Sequence, residues 1–466
     1  MRDIAFLACW LVLLPLVFRG AHLGVLLWAW TSLLAPNDLL YGIGMSIPFA
    51  KLAALPTLLQ LVFHRRGEVQ FRIGRTGMLM LALGVLAVVS QSLSPMVDTA
   101  PGWDLCVRFL KVLGLALAVL CCINNRLRVH GLLLAICLGI GYIAVDEGAK
   151  FLISGSSHKV VGSPSLGDNN QVALDVVLML PLLHYLYGAA ASRLLRLVCI
   201  GTAILAVVTV IATFSRGGFI GLMIVAIASV AGSRRKVLAA ALLAVSLAVG
   251  WSLTGADWAA RIDTVQHAQN DDSFMGRVEA WKVSLSLALE RPLTGGGLHA
   301  IQHADMWNSQ ARRAAMLQVV PGVPIGVFPR AAHSIYFEVL GDLGVPGLVV
   351  LLLLLAGAWR DGGMARRLVS RSGRADLIWA AALAGHLRVS LLAFMVSGGL
   401  LSAAYRDIDY LLVALLAVVR MIVQRSLATP DAASPNAADP DAAWPRGRVR
   451  YAPVRGQVTA VTTAVR

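Results

Sequence analysis

Residues 195–231 read LRLVCIGTAILAVVTVIATFSRGGFIGLMIVAIASVA, two apolar stretches that are separated by a short turn containing Arg216. An apolar run of about 20 residues can cross the hydrocarbon core of a membrane as a helix. We therefore predict membrane helices near 195–213 and 217–231. Because a guanidinium is costly in hydrocarbon, Arg216 is expected either to face a watery cavity and an anion or to anchor the helix end among the headgroups.

The turn at 215–218 also has the properties of an anion site. A helix that begins at Gly217 leaves the backbone N–H groups of its first turn without helical acceptors, and its dipole is positive at this end. These groups point back toward Ser215 and Arg216. If Arg216 faces a cavity, we expect Ser215, Arg216 and Gly217 to form a phosphate socket.

The composition of the whole chain is that of a polytopic membrane protein. Of the 466 residues, 58% are hydrophobic and 14% are charged, and the mean hydropathy is +0.74. These values exclude an ordinary soluble domain. Apolar runs that we interpret as spans lie at 47–63, 77–93, 105–123, 131–153, 171–189, 195–213, 217–231, 237–253, 334–356, 377–401 and 408–424. With residues 4–35 as one broken crossing, we predict an all-α fold of about twelve membrane helices; a tight pair of crossings is the alternative for 4–35.

Clusters of arginine and lysine predict the orientation of these helices. Short loops that are rich in these residues favour the cytoplasm, and the clusters lie at 65–75, 126–128, 193–196, 234–236 and 360–374. The cation-poor segments that alternate with them, and hence the turn at Arg216, are then extracytoplasmic. The formal net charge of +15 resides mainly in the cytoplasmic loops and the tail. It therefore indicates orientation and contact with anionic membrane lipids, and not nucleic-acid binding.

The predicted organisation has four parts. N-terminal membrane helices occupy 1–253, a large extracytoplasmic loop with substrate-binding helices occupies 254–332, and C-terminal membrane helices occupy 333–424. The segment 425–466 is rich in Ala, Pro, Asp and Arg without apolar periodicity, which predicts a disordered cytoplasmic tail.

The large loop is predicted to contain two helices. Apolar residues at helical spacing indicate the first at 275–289, where Arg277 and Trp281 lie one turn apart on one face. The run PLTGGG at 292–297 ends it, and a second helix is predicted at 297–319. His333 comes directly before the next membrane helix.

These segments, in this order, resemble the O-antigen ligase and polymerase superfamily of bacterial envelope glycosyltransferases. The resemblance covers about residues 160–357. It rests on SRGG at 215–218, Gly276-Arg277 with Trp281, RPLTG at 291–295, AHSIYFEVL at 332–340 and GDNN at 167–170. The N-terminus, with GVLLWAW at 24–30 and PFA at 48–50, further resembles exosortase-associated O-glycosylation ligases. The chain departs from the pattern after the motif histidine, where Ser334 replaces the usual asparagine, and at Pro36-Asn37-Asp38, where that subgroup has Pro-His-Arg.

The resemblance implies a GT-C-like fold and a reaction. An O-antigen ligase would transfer a glycan from an undecaprenyl-pyrophosphate donor to an acceptor at the periplasmic face of the bacterial inner membrane. The acceptor is lipid A core sugar for a ligase, the end of a growing repeat for a polymerase, or a protein hydroxyl for an O-oligosaccharyltransferase. The alternative outside the enzymes is a transporter or flippase of lipid-linked glycans.

The resemblance also assigns roles to residues. Arg216 and Arg277 would clamp the departing pyrophosphate, and His333 would orient or deprotonate the acceptor hydroxyl. Ser215, Gly217, Asn170 and Trp281 would contribute to substrate binding.

Two further groups have alternative interpretations. Arg108 and Lys111, one helical turn apart, either extend the pyrophosphate site or pair with Asp104 or Asp175. His299 and His303 have the i, i+4 spacing of a zinc site, but the Glu of a His-Glu-x-x-His pattern is missing, so a solvated helix face is the better interpretation. We predict no metal and no cofactor.

Overall fold

The computed structural model describes residues 2–63, 73–95, 100–232, 272–317 and 325–428. These residues are almost entirely helical, and their only strands are the short antiparallel pair β1 (Gly162–Ser163) and β2 (Gly167–Asp168). The all-α prediction is therefore confirmed. Several predictions fall outside the described residues: the span at 237–253, the basic residues at 65–72 and 234–236, the loop up to 271 and the tail from 429.

The helices of the described residues are numbered here in chain order. They are α1 (Arg2–Leu13), α2 (Ala21–Leu34), α3 (Phe49–Val62), α4 (Gly74–Ser92), α5 (Ala100–Cys122), α6 (Arg126–Ile153), α7 (Asn169–Ala189), α8 (Arg193–Ala212), α9 (Arg216–Gly232), α10 (Asp272–Glu290), α11 (Ala304–Met316), α12 (Ile335–Ser372), α13 (Ile378–Ser397) and α14 (Asp407–Ala428).

Eight of the described helices, α4 to α8 and α12 to α14, are long and apolar enough to cross a membrane. α3 and α9 are shorter apolar helices, and they lie at two further predicted spans. The polytopic membrane fold is therefore confirmed, whereas the total of about twelve crossings stays a prediction. In the first 35 residues, α1 and α2 are separate helices of 12 and 14 residues that a 3-10 turn (Leu14–Arg19) connects, so the predicted break is present.

α7 lies at the centre of the bundle. It packs against α6, α8, α9 and α13, and 83% of its membrane window is buried inside the protein. A helix that is apolar on all sides has no face to offer to water, so its burial follows from its sequence.

The described part of the large loop has a small core of its own around Trp307, which is fully buried between α10 and α11. α10 confirms the first predicted loop helix. The second prediction, a continuous helix at 297–319, is wrong. Gly297 and His299 have positive φ values of 93° and 58°, which a helix cannot contain, and α11 therefore begins only at Ala304.

The bundle has two distinct ends. At one end, which we call the site end, the last turn of α4 contacts the large loop: the N–H of Gly297 donates to Ser90 Oγ at 3.1 Å. The opposite end, which we call the basic end, contains the described arginine clusters that were predicted to be cytoplasmic. There the Arg126 guanidinium lies 5.7 Å from the ring centre of Trp379. The predicted alternation of loops is thus consistent with the described bundle.

Candidate functional site

Ser215 caps the helix that begins at Arg216. Its Oγ accepts a hydrogen bond from the N–H of Gly218 at 3.0 Å, and its carbonyl oxygen accepts one from the N–H of Phe219 at 2.9 Å. The preceding residue, Phe214, has a φ of 50°, which non-glycine residues seldom adopt. The cap and this strained residue fix where α9 begins, and they place the half-buried Arg216 at its first position.

The glycines that follow Arg216 allow α9 to pack closely. A Cβ on Gly218 would lie 2.5 Å from the Cβ of Ala173 in α7, and one on Gly217 would lie 2.8 Å from the Leu401 side chain. A larger residue at Gly218 would require movement of α9 or α7, because the Cβ of Ala173 is fixed to its backbone, whereas one at Gly217 would require the Leu401 side chain to move. Packing is thus one reason for glycine at both positions, and the predicted role of Gly217 in substrate binding remains a prediction.

Asn170 joins the start of α7 to the same turn. Ser215 Oγ donates to Asn170 Oδ1 at 2.7 Å. Asn170 Nδ2 donates to Asp168 Oδ2 at 3.2 Å, and the neighbouring Asn169 Nδ2 donates to Thr213 O at 2.8 Å. The predicted residues Asn170 and Ser215 therefore lie in direct contact at the site end.

The turn at 292–297 fastens α10 to a kink in α12. Gly344 has a φ of 69° and a ψ of −167°, outside the helical range, and a Cβ on it would lie 2.6 Å from Pro292 O. The N–H of the next residue, Val345, donates to that same carbonyl oxygen at 2.8 Å. Both the backbone conformation and the close approach require glycine. This joint sets the position of α10, and hence of Arg277, relative to α12.

Trp281 connects α10 to the segment that carries His333. Its Nε1–H donates to Ala332 O at 2.8 Å, and its ring stacks on Phe337 at 5.2 Å with an interplanar angle of 9°. These contacts make Trp281 a positioning residue for the chain on either side of His333. Its predicted contact with substrate stays a prediction.

His333 lies in the bend before α12. Its φ is 44°, and its N–H donates to Ser402 Oγ at 2.9 Å. Its Nδ1 is buried and has no hydrogen-bonding partner among the described residues. Burial and the charge of Arg277 lower the pKa of His333, and together they outweigh Asp168 and Glu338, which raise it. His333 is therefore a neutral base near pH 7 with one ring nitrogen that a substrate group can satisfy.

The predicted site residues of the turn, the loop and α7 thus come together. The charges of Arg277 and Asp168 act on His333, Asp168 accepts from Asn170, and Asn170 accepts from Ser215, which precedes Arg216. The result is a neutral base, a capped helix N-terminus and two arginines in one neighbourhood. Such a set can bind an anion and accept a proton.

The loop between α13 and α14 is a part of the site that sequence analysis missed. Arg406 forms a salt bridge with Asp175 of α7 and donates to Leu166 O at 2.9 Å, while Ser402 holds the N–H of His333. The only sequence signal is Asp175, because a carboxylate inside an apolar helix needs a partner. Nothing local identifies that partner as Arg406, 231 residues away.

Glu338 is a second missed residue, and its partner corrects a prediction. Its Oε1 lies 3.2 Å from His299 Nε2, and its Oε2 accepts the N–H of Ala404 at 3.1 Å. Burial is the largest influence and lowers the pKa of His299, but the hydrogen bond and charge of Glu338, together with the charge of Asp342, leave the pKa above its ordinary value. The interpretation of His299 as part of a solvated helix face is wrong, because its left-handed backbone lies before α11 and its ring pairs with Glu338.

Arg108 and Lys111 are exposed on α5. Of their two predicted partners, Asp175 belongs instead to Arg406, so that pairing is wrong. Asp104 lies near enough for its charge to act on Lys111, but neither cation forms a salt bridge with a described residue. Their role in substrate binding stays a prediction.

Two family models match the chain. One, described as O-Antigen ligase, matches residues 201–352, which contain the capped turn, α10, the kink and His333. The other, a family of unknown function, DUF5935, matches residues 1–189. No curated protein matches the chain, and the exosortase-associated subgroup remains a prediction. Residues 201–352 thus match an O-antigen ligase domain, and this match supports the resemblance of the chain to the O-antigen ligase superfamily.

Proposed function

We propose that this glycosyltransferase moves a glycan from undecaprenyl pyrophosphate to an acceptor hydroxyl at the periplasmic face of the bacterial inner membrane. The match of residues 201–352 to the O-antigen ligase family supports a glycosyltransferase of the ligase or polymerase type. The acceptor that we propose is a sugar of the lipid A core. The observation that carries the proposal is the charge of Arg277 acting on a neutral, half-buried His333 within the O-antigen ligase domain.

Arg216 and Arg277 would bind the pyrophosphate of the donor. Each charge-assisted hydrogen bond from a guanidinium contributes about 1.5–3 kcal/mol when the pair is partly desolvated. The N-terminus of α9 adds N–H donors and a positive dipole end beside Arg216. These groups stabilise the negative charge that grows on the pyrophosphate as it leaves, so we propose that the reaction needs no metal ion.

His333 would act on the acceptor. The acceptor oxygen attacks the anomeric carbon while the bond from that carbon to the pyrophosphate oxygen breaks. The hydroxyl proton passes to the neutral imidazole of His333 and then to water, and undecaprenyl pyrophosphate departs. Attack from the face opposite the leaving group inverts the anomeric carbon. A positioned general base of this kind accelerates transfer by about 100-fold to 10,000-fold.

The proposal is tested with purified protein, a defined undecaprenyl-linked oligosaccharide and three acceptors supplied separately. The acceptors are lipid A core, a glycan repeat unit and a serine-containing protein. We expect glycan on lipid A core, release of undecaprenyl pyrophosphate and unchanged rates in excess EDTA. Transfer to the repeat unit alone would identify a polymerase, and transfer to the protein alone would identify an O-oligosaccharyltransferase; either result would contradict lipid A core as the acceptor. Movement of intact donor across vesicles without cleavage would identify a flippase, and loss in EDTA with recovery on one metal would overturn metal independence.

The orientation is tested by cysteine labelling in a variant without the six native cysteines. Asn308 on α11 and Gly373 after α12 are both exposed, and they lie on the predicted outer and inner sides. An impermeant thiol reagent that is added outside the inner membrane should label Asn308→Cys and not Gly373→Cys. The reverse pattern would place the candidate site in the cytoplasm.

A further inference from the structure

The turn that ends α10 exposes aliphatic side chains, although it belongs to the predicted extramembrane loop. Leu289 in the last turn of α10 is 63% exposed, and Leu293, which follows Pro292, is 73% exposed. Two residues of the membrane helices are exposed in the same way: Leu93, directly after α4, is 55% exposed, and Val345 in α12 is 47% exposed. We call Leu93, Leu289, Leu293 and Val345 the α10 apolar patch.

Hydrogen bonds fasten the turn to the ends of both membrane helices. The Arg291 guanidinium donates to Leu93 O, and the N–H of Val345 donates to Pro292 O at 2.8 Å. Arg291 and Pro292 lie between the two leucines of the turn in the chain. These two bonds therefore bring both leucines beside the outer part of α4 and α12.

α10 runs alongside the first part of α12 toward the membrane. The ring of Trp281 stacks on that of Phe337, whereas Pro292 bonds to Val345 further along both segments. The two segments thus advance in the same direction, from the bend before α12 toward the apolar stretch at 345–359. The C-terminal end of α10 is consequently its deeper end.

The lengths of α4 and α12 give the depth of the patch. At the basic end, the exposed Arg75 of α4 lies 4.0 Å from Asp361 of α12. Because charged side chains avoid hydrocarbon, this pair marks one boundary of the hydrocarbon core. At 1.5 Å per residue, Leu93 lies about 27 Å along α4 from this pair, and Val345 lies about 24 Å along α12. The core is about 30 Å thick, so the patch lies at its other edge.

The helix surface below the patch faces lipid. Val85 and Val89 are exposed on α4, and Val349 is exposed on α12. Leu93 and Val345 follow at a spacing of four residues, which places them on the same helix faces. On helices that cross a membrane, exposed aliphatic side chains contact acyl chains, because water is absent there. The patch continues this lipid-facing surface onto the turn.

The backbone of the turn is also suited to the edge of the membrane. The N–H of Gly296 donates to Gly341 O at 2.9 Å, and that of Gly297 donates to Asp342 O at 3.2 Å. Ser94 Oγ donates to Gly296 O. Irregular backbone is tolerated at membrane depth where the protein itself pairs the polar groups. These bonds meet that requirement for the buried side of the turn.

The charged residues at this level have partners within the protein. Glu290 forms a salt bridge with Arg313 of α11 and accepts a hydrogen bond from Gln310, so its carboxylate faces the loop core. The Arg291 guanidinium is held by Leu93 O. Neither charge therefore has to enter hydrocarbon when the two leucines do.

We propose that the α10 apolar patch is embedded in the leaflet at the site end, with Leu289 and Leu293 in contact with the acyl chains of bilayer lipids. This inference rests on the membrane fold and not on the proposed reaction. A lipid anchor at the deep end of α10 fixes the height above the membrane of the helix that carries Arg277.

Spin labels on single cysteines test the proposal in the full chain without its six native cysteines, with one protein per nanodisc. Power saturation compares collisions with oxygen, which partitions into acyl chains, and with a nickel complex that stays in water. A label at Leu293→Cys should collide more often with oxygen than with nickel, as should one at Val85→Cys on the lipid-facing surface of α4. The exposed Asn308→Cys on α11 is the aqueous control and should show the opposite ratio.

The ratio at Leu293→Cys decides the outcome. A ratio equal to that of Asn308→Cys would place the patch in water and overturn the proposal. A label that collides with neither reagent would mean that protein covers the patch, which also overturns it. Leu289→Cys repeats the measurement at the second leucine, and it should give the same result as Leu293→Cys.

Two additions to the experiment distinguish other occupants of the patch. Oxygen collisions at Leu293→Cys should stay unchanged when undecaprenyl pyrophosphate is added, and no spin–spin broadening should appear with two proteins per nanodisc. Loss of oxygen collisions on addition would assign the patch to the polyprenyl chain, and broadening would assign it to a second copy; either result overturns the proposal. Because no step needs turnover, failure of glycan transfer would leave this inference standing.

Discussion

The two ends of the helix bundle both carry arginines, but these arginines have different neighbours. At the basic end, Arg374 forms a salt bridge with Asp376 at 2.8 Å and Arg420 forms one with Asp361 at 3.1 Å, while near the middle of α13 the Arg388 guanidinium lies 3.8 Å from the ring centre of Trp359. Those contacts connect α12, α13 and α14 to one another, or one helix end to its own turn. Arginine at the basic end thus serves packing and orientation.

At the site end, Arg406 is also paired with a carboxylate, that of Asp175, but the neighbours of two other arginines suit a substrate. Arg216 follows a helix cap, and Arg277 acts on a neutral histidine. The role of an arginine at a membrane boundary therefore cannot be assigned from its position alone. Its role depends on its neighbours. A carboxylate or an aromatic ring indicates packing, whereas a helix N-terminus or a base indicates substrate binding.

The largest expected difference between the two ends is in the response to a change from arginine to lysine. Arg216→Lys keeps the charge but loses the bidentate fork, so transfer should fall by at least about 100-fold. Arg374→Lys alters contacts at the opposite end of the bundle, among them the pair with Asp376 and the hydrogen bond to Ser426 O, and should change transfer less than about twofold. Initial rates with a lipid-linked donor measure both. Retention of more than about half of the activity by Arg216→Lys would mean that a point charge suffices.

An intermediate effect is expected at the joint between α10 and α12. Gly344→Ala introduces both a disfavoured φ and a contact with Pro292 O, which should cost about 1–3 kcal/mol and lower the melting temperature. Gly363 lies further along α12, and a Cβ there would meet nothing within 4 Å, so Gly363→Ala is the matched control. Thermal unfolding in the same detergent compares the two. Equal melting temperatures of the two variants would contradict the proposal that the joint between α10 and α12 stabilises the site end.

The smallest expected effect concerns pH. His333 must be neutral to accept a proton, so transfer should decline as the pH falls through its pKa, which lies below the ordinary histidine value of 6.5. Arg277→Gln removes one cause of that lowering and should move the acidic limb to higher pH. The pH profile of kcat at saturating donor tests this, with Arg374→Gln at the basic end as control. If the acidic limb of the pH profile does not move in Arg277→Gln, the charge of Arg277 does not influence the pKa of His333.

Sequence patterns predicted the parts of this molecule whose physical cause is local. Apolar runs indicated the spans because the membrane dictates their length, and the turn at 215–218 was recognisable because an arginine and two glycines interrupt two such runs. The positive φ of His299 was not predictable, since most histidines do not adopt a left-handed backbone. The helix at 297–319 was therefore wrong.

Contacts between distant segments were the other part that the sequence could not supply. Ser402 bonds to the backbone of His333, and Glu338 bonds to His299, yet neither residue has a distinctive spacing. The same holds for Trp281: its resemblance to a family motif suggested substrate binding, whereas its contacts in the structure are with Ala332 and Phe337. A motif thus identified the neighbourhood, and only the fold identified what each side chain does there.

We propose that two residue types at the site end have different roles: Arg216 and Arg277 bind the donor, and His333 acts on the acceptor. Donor affinity and transfer rate, measured on His333→Ala and on Arg277→Ala with the same undecaprenyl-linked oligosaccharide, distinguish these roles. We predict that His333→Ala keeps near-normal donor affinity with transfer blocked, and that Arg277→Ala weakens donor binding. Equal losses of donor affinity in both variants would contradict the division of roles.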